Sequence, residues 1–448
     1  MKRPQFFLCA AAGVYLAFSA PPGCSQQPTT LGTQTPTAVN AQQTANNQAG
    51  ALTWDALKAR FEANNPSLKA DALGVDEMKA EEITAHLRPN PQFEFSTDGT
   101  QLTPHNGVWQ PFSGTQYQSN LSYLWERENK RNLRLETAKD ATRVAESSHE
   151  DLERNLIFNL RGAFVQTLQA KAVVKLAEDD LAYYDKIIDI SRNRFRAGDI
   201  AQVDLDRIEL QRVQYESELQ NARVNLRTAK IQLLTLLNDR TPVDSFDVQG
   251  PFDFSPDLKD LEQFRQMALD NRPDLRAALQ TIEESKAAHK LAVSNGSTDP
   301  TLAGWWTYDG SYSNPNAVNA LGLSVTVPLR IFDRNQGEKK RTQIDIDKST
   351  ESSETARAQV FSDVDSAYAQ VDSNIILLKP YKDKYVQQST RVRDTVTYAY
   401  QHGGASLTDF LNAQSDYRVV QLAYLQLIGS YLTAASQLNL AVGREVIP

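Results

Sequence analysis

The sequence predicts a mainly α protein with a β-barrel, built as two structural repeats of two strands plus long coiled-coil helices and completed as a homotrimer. Three observations carry this. The two halves of the chain match at an offset of 205 to 207 residues. Each half holds long stretches with apolar residues every third or fourth position, the period of an amphipathic helix. Each half also holds two alternating segments of strand character, four in all, and four strands are too few to close a membrane barrel of about 8 or more.

Composition sets the frame. In 448 residues Gly (20) and Pro (19) are scarce and charged residues make up 23%, which favours long helices over a loop-rich all-β fold. The net charge of −8 argues against a general nucleic-acid binder, which needs a basic stripe. Residues 1–23 read as a signal peptide: Lys2 and Arg3 supply the positive start, and Phe6 to Ala20 are uncharged and mostly apolar. Gly23 directly before Cys24 suits lipoprotein processing, which would acylate Cys24. Pro21 stands where such signals usually carry Leu, and the alternative is an inert Cys near another cleavage site. Cys9 is lost with the signal, so the mature chain holds at most one Cys and no internal disulfide. Residues 24–50 form a flexible tether, uncharged and nearly without large apolar groups. Beyond the signal no run of 18 apolar residues occurs, so no helix is expected to span a bilayer.

The first repeat is placed at 51–245 and the second at 258–444, with a linker at 246–257. Asn64-Asn65-Pro66-Ser67-Leu68 answers Asn271-Arg272-Pro273-Asp274-Leu275, and 196–239 aligns without gaps on 401–444. Identity there is low, but the apolar register is kept. Ile208, Tyr215, Leu219, Ala222, Leu226, Ala229, Leu233 and Leu236 lie on one stripe, interrupted at Arg212. Ala413, Tyr417, Val420, Tyr424, Leu427, Tyr431, Ala434, Leu438 and Ala441 continue it in the second copy. A sustained 3.5-residue period implies left-handed coiled-coil packing. Nothing interrupts helix from about Lys130 to Ala197, a rod of ~100 Å at 1.5 Å per residue. Gly198 turns the chain and a return helix follows over 200–237. The second copy runs over 336–402 and turns at Gly403-Gly404, with Pro380 expected to kink or break it. Two apolar seams on one helix demand neighbours on both sides, in a helical wall or an antiparallel bundle.

The strand segments are 91–97, 117–126, 301–312 and 319–329. Tyr117, Ser119, Leu121, Tyr123 and Trp125 alternate with polar residues, and Leu321, Leu323, Val325 and Val327 do so more cleanly. This alternation with aromatic ends is the pattern of membrane barrel strands, although a half-buried soluble hairpin reads similarly. Leu121, Tyr123, Trp125, Leu321, Leu323, Val325 and Val327 are the candidates to face lipid. Unpaired edges are excluded from lipid. Three copies supply twelve strands, and the same threefold axis gathers the helices into a tube.

In this order the elements resemble the TolC-like outer-membrane efflux proteins, over about Leu52 to Arg444. Phe195-Arg196-Ala197-Gly198-Asp199-Ile200 with Asp204-Leu205 is similar to that family's turn. Tyr400-Gln401-His402-Gly403, Leu411-Asn412-Ala413-Gln414 and Ala441-Val442-Gly443 resemble its second copy. Val327-Pro328-Leu329 and Asp333-Arg334-Asn335-Gln336-Gly337 resemble its fourth strand and helix entry. The resemblance implies a homotrimer with a 12-stranded barrel in the outer membrane and an α-helical barrel in the periplasm. It also implies a passive exit duct for small molecules or metal ions, docked to a periplasmic adaptor protein and an inner-membrane efflux pump. Many relatives carry Asp where this chain has Asn412, with Asp409 about one turn earlier. The Gly198-Asp199-Ile200 turn and the lipoprotein-like signal lean towards the cation-efflux branch.

No enzyme chemistry, cofactor site or metal site is legible. His86, His105, His149, His289 and His402 are scattered and read as surface groups, and Asp179-Asp180, Glu283-Glu284 and Glu81-Glu82 as hydrated helix faces. The functional candidates lie where the turns meet: Gly198, Asp199, Asp204, Gly403, Asp409 and Asn412. Aspartates tripled by symmetry repel, so a closed mouth needs cations such as Arg196 or Arg207 beside them. The competing reading has Asp204 and Asp409 simply starting the return helices, where the macrodipole favours a carboxylate. Two other functions remain open on sequence: the outer-membrane duct of a type I protein secretion system, and a soluble periplasmic coiled-coil scaffold.

Overall fold

The structure is a computed structural model that describes residues 50–310 and 318–447. The signal peptide, Cys24, nearly all of the tether and part of the turn between the third and fourth strand segments lie outside the described residues.

Each half opens with a broken helix pair. Helix α1 (Trp54–Asn64) gives way to α2 (Pro66–His86), and α5 (Leu261–Asn271) to α6 (Pro273–Ser294). The break has the same cause in both. A proline lacks the N–H that an ongoing helix needs but suits a first helical position, so Pro66 and Pro273 restart the helix. Asn65 caps the first restart, its side chain accepting from Leu68 N at 3.0 Å and donating to the Leu236 carbonyl at 3.3 Å. Arg272 takes that place in the second and is 5% exposed. It is held by Asp274 at 2.6 Å, Asp363 at 2.8 Å and the Ala441 carbonyl at 3.3 Å.

The long helices are α3 (Lys130–Ala197, 68 residues), α4 (Gln202–Leu236), α7 (Gln336–Pro380), α8 (Val386–Gln401) and α9 (Leu407–Val442). The stripe read from sequence is the buried one: Ile208, Tyr215, Leu219, Ala222, Ala229 and Leu233 on α4 are all covered. Pro380 marks a break, as expected: the α-helix ends there. A single π-helical turn (Tyr381–Tyr385) carries α7 into α8, with Val386 N donating to the Tyr381 carbonyl. Lys382 in this turn binds Asp253 at 2.7 Å and lies over the Phe254 ring, so the segment between the repeats straps the joint.

Among the described residues, four strands form one antiparallel sheet in chain order: β1 (Gln92–Asp98), β2 (Gln116–Leu124), β3 (Thr301–Asp309) and β4 (Asn319–Thr326). The β2–β3 pairing joins the two halves. Expected strand ends at 126 and 329 are too late. Trp125 and Val327, taken as barrel positions, stand just past β2 and β4, although Trp125 N still donates to the Pro300 carbonyl at 2.9 Å. Pro328 has no N–H for a ladder, which fits the early end of β4.

Among the described residues, three apolar cores hold the helices. One gathers Leu57, Phe61, Leu160, Phe164 and Leu233 with Phe246 and Val248 of the inter-repeat segment. A second joins α5, α7 and α9 through Phe264, Val364, Val371, Tyr431 and Leu438. The third lies beside the turns: Tyr184, Ile187, Ile188, Ile208, Tyr215, Tyr400 and Phe410. Each fully buried Leu or Phe side chain stabilises by about 1.5–3 kcal/mol. Among the described residues no helix is long and apolar enough to cross a membrane.

Candidate functional site: the sheet and the helix turns

Pairing register sorts the sheet into two chemically different faces, because directly opposed residues share a face. On one face lie the rows Phe93–Leu121–Gly304–Leu323, Phe95–Ser119–Trp306–Leu321, Tyr123–Leu302–Val325 and Tyr117–Tyr308. On the other lie Gln92–Ser122–Ala303–Ser324, Glu94–Asn120–Trp305–Gly322, Ser96–Gln118–Thr307–Ala320 and Asp98–Gln116–Asp309. The apolar face is the bare one: Leu321 is 79% and Leu323 83% exposed, with Phe93, Phe95, Leu121 and Val325 also exposed. On β3 the alternation runs against that of a soluble sheet, with Leu302, Trp306 and Tyr308 exposed and Ala303, Trp305 and Thr307 more covered. A contiguous bare apolar face of this kind marks contact with lipid or protein. Aromatic rings gather at both strand ends, as at membrane interfaces. Tyr117 lies 6.4 Å from Phe95 and 6.2 Å from Tyr308 at one end, and Tyr123 and Trp125 stand at the other.

Strand-to-helix joints fix the sheet to the helices. Asn129 (φ 57°) before α3 and Asn335 (φ 60°) before α7 both take the left-handed conformation that asparagine tolerates best after glycine. Lys130, 3% exposed, reaches from the first joint to Asp299 Oδ2 at 2.6 Å and the Ser297 carbonyl at 3.0 Å, and Arg127 N donates to Asp299 Oδ1 at 2.8 Å. Nothing in the sequence pairs residues 169 positions apart, so this contact was illegible there.

At the far ends of the helices the two turns meet. Gly198 (φ 84°) and Gly403 (φ 74°) occupy the left-handed region, which makes glycine the fitting residue at both reversals. Arg194 Nη1 donates to the Tyr400 carbonyl at 2.6 Å, and Tyr400 stacks on Phe410 with centroids 5.1 Å apart. Among the described residues the carboxylates of Asp199 and Asp204 make no hydrogen bond or ion pair. Asp204 stands in the first turn of α4. Asp409 closes a capping box with Ser406, accepting from Ser406 Oγ at 2.7 Å and from its N at 3.2 Å, and these bonds hold its carboxyl below the usual range. Asn412 is exposed on α9. Neither Arg196 nor Arg207 pairs with these aspartates among the described residues; Arg196 turns back to Asn193 Oδ1 at 3.3 Å.

Further along the helices the expected hydrated face is partly wrong. Asp180 points inward and is 8% exposed, because its helix is enclosed on more than one side there. Burial pushes its carboxyl up to about 6, against the pull of Arg393 and Arg418. Arg418 pairs with Glu218 and lies over Tyr215, and Arg393 lies 3.9 Å from the Tyr417 ring centroid. Two histidines read as surface groups are also only partly exposed: His149 binds Asp71 at 2.7 Å and His289 binds Thr342 at 2.9 Å.

An amphipathic sheet with its apolar side bare, fastened to paired helices of up to 68 residues, defines a membrane-inserted channel protein. The sequence model of outer membrane efflux proteins matches residues 57–239 and 264–444. The chain belongs to this family. It is 23% identical over 405 residues to the cobalt-zinc-cadmium resistance protein CzcC of Cupriavidus metallidurans, covering 88% of this chain and 91% of the relative. It is 24% identical over 373 residues to outer membrane protein TolC of Escherichia coli, covering 78% and 74%. Its fold is similar to CusC (TM-score 0.71, 18% identity, 87% of this chain and 92% of that one). It is also similar to the outer-membrane channel OprN (TM-score 0.71, 17% identity, 87% and 89%). The protein is an efflux channel of the outer membrane with a periplasmic extension.

Proposed function

We propose that three copies pool their sheets into a 12-stranded barrel whose apolar face meets lipid and whose polar face lines water. The helical hairpins form a periplasmic tube, docked to an adaptor protein and an inner-membrane pump that supplies the driving force. Small molecules or metal ions leave passively through the shared axis, and the similarity to a cobalt-zinc-cadmium resistance protein supports cations among them. Asp199, Asp204, Asp409 and Asn412 lie around the periplasmic mouth in this reading, and Cys24 carries lipid.

The observation that carries it is the sheet: among the described residues, four strands, open at β1 and β4, with one bare apolar face. Unpaired edges are not tolerated in lipid, so the sheet must be completed by others. The test is to extract the protein in detergent, measure its mass, and record current in a planar bilayer. A trimer with steady ion conductance is the expected result. A folded single copy, monodisperse without detergent, overturns the proposal.

A further inference from the structure

Among the described residues, Trp305 is the one aromatic on the polar face of the sheet; every other ring in the strands is on the apolar face. Its neighbour in register is Gly322, and the pairing is close. A Cβ placed on Gly322 would stand 2.3 Å from the indole Cε2 and Cζ2 and 2.8 Å from Nε1. The ring therefore lies across β4, against the wall, with its other π face turned away from the backbone. Any side chain at 322 would lift it off.

The same row continues to an acid. Trp305 pairs with Asn120, and Asn120 with Glu94 on β1. Asn120 Nδ2 reaches Glu94 Oε2 at 3.5 Å, while Asn120 Oδ1 is covered and has no hydrogen-bond partner among the described residues. Glu94 is exposed. At about 4.8 Å per strand, the row sets a carboxylate about 10 Å from an aromatic platform, with Asn120 between them.

We propose that Glu94, Asn120 and Trp305 form a station in the channel lumen that retains organic cations with an apolar body, such as quaternary ammonium or flat aromatic cations. The indole face attracts such a cation through its quadrupole and covers its apolar part. Glu94 supplies the counter-charge, with Asn120 Nδ2 donating to its Oε2 at 3.5 Å. Small hydrated metal ions keep their water and gain little from the ring, so the station selects among cations and does not serve every cargo. This rests on the barrel reading, in which the polar face lines the pore.

The test uses full-length channel in planar bilayers, with potassium carrying the current and tetrabutylammonium as the probe. Wild-type channels are expected to be blocked by the probe. Trp305→Ala is expected to weaken block about five- to tenfold without lowering potassium conductance, and Trp305→Phe to restore part of it. Gly322→Val, which displaces the ring from the wall, and Glu94→Gln are expected to weaken block as well. If wild-type protein carries no current, the barrel reading fails and the station with it. If wild type and Trp305→Ala conduct and are blocked alike, the station alone is wrong. Should Trp305→Ala not assemble, unchanged block in both Gly322→Val and Glu94→Gln overturns the station equally.

Discussion

The guanidinium of Arg194, four residues before the first turn, donates to the carbonyl of Tyr400, three residues before the second, and its Cζ lies 5.1 Å from that residue's ring centroid. One side chain thus joins the ends of two helical hairpins that are 206 residues apart. A charged hydrogen bond of this kind contributes about 1.5–3 kcal/mol. Replacing Arg194 by Ala should let the turns separate. Higher single-channel conductance and faster proteolysis at Gly198 or Gly403 are expected; conductance and cleavage matching wild type would show that the link does not restrain the turns.

Asp180 makes the helical end sensitive to pH. Its carboxyl titrates near 6 in the fold, against an ordinary value of 3.8. Between those values the unfolded chain has released the proton and the folded one keeps it. Stability therefore falls as pH rises from about 4 to 6 and levels off above, by of the order of 2–3 kcal/mol. Asp180→Asn removes the burial cost and should raise the urea midpoint at pH 7.5 while leaving pH 5 less changed. Equal pH slopes in the two proteins would refute this.

The Lys130–Asp299 pair is buried at the joint between sheet and helices, its side chains 4% and 17% exposed. Removing one partner of a buried pair strands the other and costs about 3–5 kcal/mol. Lys130→Met should therefore lower the heat stability of the assembled protein, and Lys130→Met with Asp299→Leu should recover part of the loss. A double variant worse than the sum of the singles would argue that the pair is irreplaceable.

The two sheet faces should respond oppositely to charge. Leu323→Lys places an ammonium on the apolar face and is expected to cost about 2–4 kcal/mol near mid-membrane, lowering the yield of outer-membrane protein. Ser324→Lys, one residue on, points to the polar face and should assemble normally with altered ion selectivity. Equal yields from both would remove the assignment of faces.

The aspartates at the turns separate into two kinds. Asp409 is engaged by Ser406, whereas Asp204 is not bonded among the described residues. An Asp204→Ala, Asp409→Ala double variant is expected to change conductance and weaken block by divalent cations, mainly through Asp204. Asp409→Ala alone is expected to loosen the start of α9. Unchanged cation block in the double variant would leave both residues as helix-starting groups only.

Much of this architecture was legible because it repeats a local rule many times. The 68 residues of α3 were readable from Lys130 to Ala197 because nothing there stops the helical pattern, and Gly198 and Gly403 mark reversals that few other residues accept. Alternation in Leu321, Leu323 and Val325 likewise assigned a face before any pairing was known. Strand ends were misjudged because Trp125 and Val327 keep the alternation after the ladder stops. Asp180 was misread because a charged residue looks hydrated until a second helix is seen to cover it. The Lys130–Asp299 pair and the Glu94–Asn120–Trp305–Gly322 row were invisible, since both depend on β2–β3 register and not on neighbours in sequence.

The π turn after Pro380 makes the duplicated halves mechanically unequal. One carries an unbroken strut from sheet to tip; the other carries a jointed strut, pinned at its elbow by Lys382 and Asp253. Torsion applied at the tip is then expected to be taken up first on the jointed side, at Tyr381–Tyr385.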